Sequence, residues 1–240
     1  VLINVHGGHF EGGSRIASHL ESIPIAVVGK IKVISIDYRM APEYTFPAAS
    51  EDVAAVYREL LKTYKPQNIG LYGSSAGGLL AAESIAWFDK HALPLPGAVG
   101  MLAGAATYYQ EGDSGRIVTA IEGSPLELPP PVHPYFKGTD PANALAFPSR
   151  SPELMAKFPP SLLIASTRDI TLSSVAYTHG QLVRLGVEAE LHVWDGLGHV
   201  FYFDPSLPES REVYDVIIHF FQRHLGQPLK AQGVAPEGKR

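Results

Sequence analysis

The sequence predicts an α/β fold, a mostly parallel sheet of about six strands with helices on both faces. Three observations carry this. Short apolar runs alternate with amphipathic stretches of helical period. Most of the runs are apolar on both sides, as strands covered by helices on each face are. No hairpin signal joins one run to the next, so successive strands are expected to run parallel through helical crossovers.

VLINV (1–5) opens the chain as a strand and leads into a helix-like segment over about 14–28. KVISI (32–36) and NIGLY (68–72) are the next strands, with helices over about 50–64 and 75–90 after them. AVGML (98–102) and SLLIA (161–165) come next, then a helix over about 173–185. AELHVW (189–194) is the last strand, and a helix over about 209–225 closes the pattern. Right-handed crossovers put every strand's C-terminal end on one edge, where open α/β sheets bind ligands. Residues 104–160, with ELPPPVHPYFKG inside them, show no clear period. A connection that long is usually functional, and it reads as an excursion over the active-site edge. Residues 1–225 thus form one catalytic domain, and 226–240 a loose C-terminal tail.

Composition narrows the function. Hydrophobic residues make up 45% and charged residues 18% of the 240-residue chain, which suits a globular enzyme and is too apolar for disorder. A formal charge of −5 with no Lys/Arg run argues against a nucleic-acid partner. With no cysteine, disulfides, thiolate metal sites and a Cys nucleophile are excluded. No apolar run is long enough to span a membrane. There is no signal-like start, which favours a cytoplasmic location, although a chain opening on Val1 leaves room for a leader upstream.

The sharpest motif is Gly73-Ser74-Ser75-Ala76-Gly77, a G-x-S-x-G pattern between a strand and a helix. That context suits a nucleophile elbow with Ser75 as the nucleophile, and Ser74 is out of register. In this order of elements the acid and the base come later. Asp169 comes after the SLLIA strand and His199 lies in a Gly-containing loop after the last strand, so both fall on the edge that carries Ser75. Asp195 is the rival acid, read instead as a turn former at the strand end. The other nine histidines sit in helices, in a strand, in the Pro-rich loop (His133) or in the opening turn (His6, His9). That opening turn, HGGHFEGG, is poor in side chains. Its N–H groups at residues 7–9, with that of Ala76, read as an oxyanion hole. A phosphate loop would need Lys-Ser/Thr after the glycines, and a metal at His6 and His9 would lack further ligands.

These motifs together resemble the bacterial hormone-sensitive-lipase-like family of α/β-hydrolases. HGGHF (6–10) is similar to its HGGGF, DYRMAPEYTFPAASEDV (37–53) to its DYRLAPEHPFPAALEDA, and GSSAGG to its GDSAGG elbow. TRD and GLGHVF resemble its acid and base motifs, and the match runs from residue 1 to about 225. The segments IPIAVVGKIKVISIDYRM and TRDITLSSVAYTHGQLVRLGVEAELHVWDG look closest to acetyl esterases and monoterpene ε-lactone hydrolases. The resemblance implies an α/β-hydrolase fold with Ser75, Asp169 and His199 as triad. It also implies Gly7, Gly8, His9 and Ala76 as oxyanion donors. Arg39, Pro42, Glu43, Phe46, Pro47 and Asp52 carry the family signature and read as braces for the loop behind the turn. Tyr108, Tyr109, Tyr135 and Phe136 are expected either to line the cleft or to pack the loop.

Three departures stand out. His9 replaces a glycine, Ser74 replaces an Asp beside the nucleophile, and the family's two N-terminal strands and lid helices are missing. Apolar surface that those elements would cover is therefore expected to be exposed. Either a partner chain such as a second copy in a homodimer covers it, or the chain is a fragment, which is the favoured expectation. The implied activity is a serine carboxylester hydrolase for short acyl esters, working through an acyl-enzyme with no metal or cofactor. A lactone hydrolase with the same triad is the alternative. A small-molecule receptor, as in plant gibberellin receptors that lack the base histidine, is disfavoured by His199.

Overall fold

The computed structural model describes residues 1–108, 111–123 and 133–226. Six strands, β1 (Leu2–Val5), β2 (Val33–Ile36), β3 (Gly70–Ser74), β4 (Ala98–Leu102), β5 (Ser161–Arg168) and β6 (Ala189–Gly198), form one sheet in the order β2-β1-β3-β4-β5-β6. Every neighbouring pair is parallel. The helices are α1 (Ile16–Gly29), α2 (Ala48–Leu61), α3 (Ala76–Lys90), α4 (Ser114–Ile121), α5 (Pro152–Met155), α6 (Leu172–Arg184) and α7 (Pro208–His224).

The strand alternation divides the core into two layers. Ile3, Val5, Leu71, Val99, Met101 and Leu163 point toward α2, α3 and α6, where Val53, Tyr57, Leu80, Ile85 and Val175 meet them. Leu2, Tyr72, Leu102, Leu162 and Ile164 point the other way, onto Ile25 of α1 and Val213, Ile217 and Phe221 of α7. Each such side chain is worth about 1.5–3 kcal/mol of transfer free energy when fully buried. The layers fix the sheet between helices and so fix the edge on which its strands end.

Two differences from the sequence reading have physical causes. The last strand runs four residues beyond the expected AELHVW, to Gly198. A register shift between Ser166 and Arg168, with Gly196 at φ 74°, lets the chain absorb DGLG as an irregular extension of the ladder. Residues 104–160, which lack a clear sequence period, nevertheless contain α4 and α5. At eight and four residues these helices are too short to show one. Parts of this segment reach the opening turn and the start of α6, while Lys157 after α5 pairs with Asp89 at the far end of α3. Tyr135 stacks on Phe10 at 4.4 Å, Ser149 N donates to Ala106 O, and Ser114 bonds Ser173 and Ile170 at the start of α6. Of the expected tail, Gly226 closes the turn after α7, and 227–240 lie outside the described residues.

Exposed apolar side chains concentrate on α1. Ile16, Leu20, Ile23 and Val27 are 75%, 40%, 54% and 68% exposed at helical spacing. Leu20, Ile23 and Val27, with Phe203 and Tyr214, border a groove of about 660 Å³. The outer edge of β2 has no strand partner among the described residues.

The end of β1 approaches the elbow and α3 closely at two glycines. A Cβ on Gly77 would sit 1.9 Å from Val5 O, and one on Gly73 would sit 2.2 Å from the same oxygen. Gly77→Ala is therefore expected to lower unfolding stability by at least about 3 kcal/mol in urea titration. Gly12→Ala, where a Cβ would meet nothing within 4 Å, should stay within about 0.5 kcal/mol of the parent. Similar midpoints for the two variants would contradict this close approach.

Candidate active site

Ser75 stands between β3 and α3 with φ 57° and ψ −120°, a strained backbone that lifts its side chain out of the turn. Glycines at 73 and 77 permit that turn, and Ser75 N donates to Leu102 O at 2.8 Å. Two strand ends away, Asp169 comes directly after β5 and is 1% exposed. Its Oδ1 accepts from Thr171 N at 2.8 Å, from Thr171 Oγ1 at 2.7 Å and from His199 Nδ1 at 2.8 Å. His199 directly succeeds β6, and Ser166 Oγ holds the preceding carbonyl, Gly198 O, at 3.0 Å. Its Nε2 lies 2.9 Å from Ser75 Oγ. The imidazole thus bridges a hydroxyl and a buried carboxylate, an arrangement that can take the hydroxyl proton and stabilise the resulting imidazolium.

The rival groups are engaged elsewhere. Asp195 accepts from Thr167 Oγ1 at 2.9 Å, so it serves as a turn brace. Ser74 is fully buried and accepts from Tyr202 OH at 3.0 Å, facing away from the imidazole.

The opening turn is packed against the elbow. A Cβ on Gly7 would lie 2.8 Å from Ser74 O, and Gly8, at φ 124°, would press one 2.3 Å from Gly12 O. His9 is exposed at φ 58°, and the His133 side chain reaches its backbone. One expected donor needs correction. The Gly7 N–H donates to Glu21 Oε1 at 2.8 Å and is spent inside the protein. Gly8 and His9, with Ala76 in the first turn of α3, remain as the candidate oxyanion donors. His6 is buried, stacks on Tyr38 at 4.4 Å and has Nδ1 2.7 Å from Gly7 O. Burial pushes its imidazole below the usual histidine range, so it is neutral at pH 7. Among the described residues, the group of three metal-capable side chains is Glu188, Glu190 and His224, and it includes neither His6 nor His9.

The signature loop braces this turn. Arg39 Nε bonds Asp52 at 2.9 Å, Nη2 bonds Glu51 at 2.9 Å, and Ala41 N donates to Phe10 O at 2.8 Å. Phe46 N donates to Tyr135 O at 2.8 Å; Pro42, Glu43 and Pro47 lie on the same loop. Tyr135 is wholly buried and its oxygen accepts from Ala49 N, so it packs the loop. Tyr108 and Phe136 line a hollow of about 160 Å³ with Phe147 and the Arg150–Glu111 ion pair. Tyr109 lies outside the described residues.

Sequence reasoning missed Thr171, Tyr202 and Glu21. A Thr two residues after an acid is a readable turn signal. A Glu inside an amphipathic helix carries no such mark. Glu21 is 4% exposed, and burial pushes its carboxyl up to about 8, against hydrogen bonds from Gly7, Asn4 and Ser74 that pull it down.

Residues 2–203 match a family of alpha/beta hydrolase fold. An acetyl-hydrolase of Streptomyces hygroscopicus is 29% identical over 233 residues, covering 95% of this chain and 77% of that protein. The crystal structure of an esterase superposes with TM-score 0.83 at 35% identity, over 93% of this chain and 69% of the other. A second esterase, described as from the bacterial hormone-sensitive lipase family, gives 0.82 at 30%, over 94% and 76%.

Glu21 makes stability depend on pH. Its folded pKa of about 8 lies above the unfolded value of about 4.3, so between them the native state holds a proton that the unfolded chain has lost. The contribution is full below the unfolded pKa and is lost as pH rises toward the folded one. Relative to Glu21→Gln, the parent should lose stability from about pH 5 to 8, at up to about 1.4 kcal/mol per pH unit. Urea unfolding of both proteins across that range measures the difference; parallel curves would contradict it.

Proposed function

The chain belongs to the bacterial hormone-sensitive-lipase-like family of α/β-hydrolases and is an enzyme of serine-hydrolase type; from that premise we propose that it hydrolyses short-chain acyl esters through an acyl-enzyme on Ser75. The observation that carries this reading is the His199 imidazole held between Ser75 Oγ at 2.9 Å and Asp169 Oδ1 at 2.8 Å.

Ser75 Oγ attacks the ester carbonyl while His199 Nε2 takes its proton. Asp169 holds the tautomer with hydrogen on Nδ1 and stabilises the imidazolium. Negative charge that develops on the carbonyl oxygen is met by the N–H groups of Gly8, His9 and Ala76. The imidazolium then protonates the departing alkoxide, leaving the acyl group on Ser75. Water, deprotonated by the same imidazole, attacks the acyl carbonyl and releases the acid. None of these steps calls for a metal or an organic cofactor. The acyl preference is inferred from the acetyl-hydrolase likeness.

Ser75→Ala should lower turnover of an aryl acetate by about 10⁴–10⁶ and Asp169→Asn by about 10⁴. Asp195→Asn should change kcat/KM less than about threefold. A severe loss in Asp195→Asn with a mild one in Asp169→Asn would overturn the acid. In an acyl-chain series of aryl esters, kcat/KM should be highest for the short acyl groups and fall as the chain lengthens. A lactone panel run beside it separates ester from lactone preference, and faster lactone opening would replace the ester reading.

A further inference from the structure

Glu21 is a buried carboxyl that the triad chemistry does not use, yet it touches both halves of the catalytic edge. Its Oε1 accepts from Gly7 N at 2.8 Å, and its Oε2 lies 2.8 Å from the Asn4 side-chain amide at the end of β1. The hydroxyl and backbone N–H of Ser74, the residue before the nucleophile, also favour its ionised form, and Ser74 and Glu21 border one small cavity. Ser74 in turn accepts from Tyr202 OH, three residues past His199. One side chain from α1 therefore joins the opening turn, the elbow and the base loop.

We propose that the Glu21 carboxyl is a positioning group for this reaction, clamping the opening turn to the nucleophile elbow and tuning the field behind the oxyanion with its own charge. The proposal rests on the ester-hydrolase reading above.

The surroundings decide that charge. From β1, Glu21 faces Asn4 and, near it, His6, which burial keeps neutral. From the segment after β2 comes Tyr38, and from β3 Tyr72, whose OH donates to Glu21 O. Tyr202 approaches from the loop after β6 and Tyr214 from α7. Burial raises the phenol of each of these four tyrosines, so all stay neutral across the working range. Among the described residues no Lys or Arg pairs with Glu21. A carboxyl so placed holds its proton at pH 7 and loses it near pH 8. The anion then stands directly behind Gly7, on the turn that must stabilise a developing oxyanion. Like charge there opposes the transition state.

The buried Asn4 Oδ1 supports a neutral partner. It has no hydrogen-bond donor while Nδ2 faces Glu21. An amide's O and N are assigned from their neighbours. Turning this amide over lets Oδ1 accept from a protonated carboxyl, and equally from the amide of a Glu21→Gln variant.

The test is kcat and KM against pH, from 5.5 to 9.5, for an aryl acetate with the parent, Glu21→Gln and Glu21→Ala. The kcat of the parent should fall above about pH 8, as Glu21 ionises. Glu21→Gln should keep kcat at pH 7 within about threefold and lose the falling limb. Glu21→Ala should lose about ten- to a hundredfold in kcat with little change in KM, as a loosened turn misplaces its donors. Infrared spectroscopy of the parent reads the carboxyl without turnover, as an acid band that is present at pH 6, fades through pH 8 and is missing in Glu21→Gln. A falling limb unchanged in Glu21→Gln, or a Glu21 already ionised at pH 6, overturns the proposal. A titrating acid band in a protein that turns over no ester would overturn the ester reading and uphold the protonation of Glu21.

Discussion

The catalytic edge depends on one backbone contact, the carbonyl of Val5 at the end of β1 lying where a side chain on Gly73 or Gly77 would have to be. The contact presses α3 against the first strand and forces the sharp turn that gives Ser75 its positive φ. It also sets the chain after Val5, the HGGH turn, against the elbow, with Gly7 beside Ser74 O. Nucleophile and oxyanion turn are therefore positioned by the same approach of two backbones. Side chains at these positions would keep β1 and α3 apart, so the glycines act through close packing more than through flexibility.

Two buried acids frame the site and differ in what faces them. Asp169 has the imidazole of His199 at 2.8 Å, and that ring becomes a cation when Ser75 gives up its proton. Its charge is therefore used in the transition state. Glu21 has neutral donors and tyrosines around it and, among the described residues, no cation, so desolvation dominates and favours the protonated form. The hydroxyl and amide of Thr171 converge with the imidazole on the same oxygen, Oδ1, and fix the carboxylate where His199 meets it.

The fold was legible because the strands carry their burial in their sequence. LINV and SLLIA are apolar on both faces, and such runs suit a central parallel sheet whatever else surrounds them. Ser75, Asp169 and His199 were legible for a different reason: each sits just past a strand, and parallel strands bring their C-terminal ends to one edge. Glu21 was not legible because its partners come from β1, the turn and β3, and no spacing within α1 points to them. The Gly7 N–H looked available because the turn alone does not reveal a carboxyl beneath it. The short helices α4 and α5 stayed hidden because one or two turns do not establish a period.

Helix α1 joins these features to the exposed surface. Glu21, Ser18, Ser22 and Ile25 are buried on its inner side, while Ile16, Leu20, Ile23 and Val27 face solvent. The helix itself is weakly built. It has no side-chain N-cap bond, non-glycine residues in left-handed conformation at Arg15 and Lys30, and Pro24 inside it. Pro24 supplies no N–H to the turn before it, which leaves the helix dependent on packing for its stability. That packing falls on α7 and on the sheet face that carries Leu2, Tyr72 and Leu102. The desolvation that keeps a proton on Glu21 is thus a property of how firmly α1 is seated.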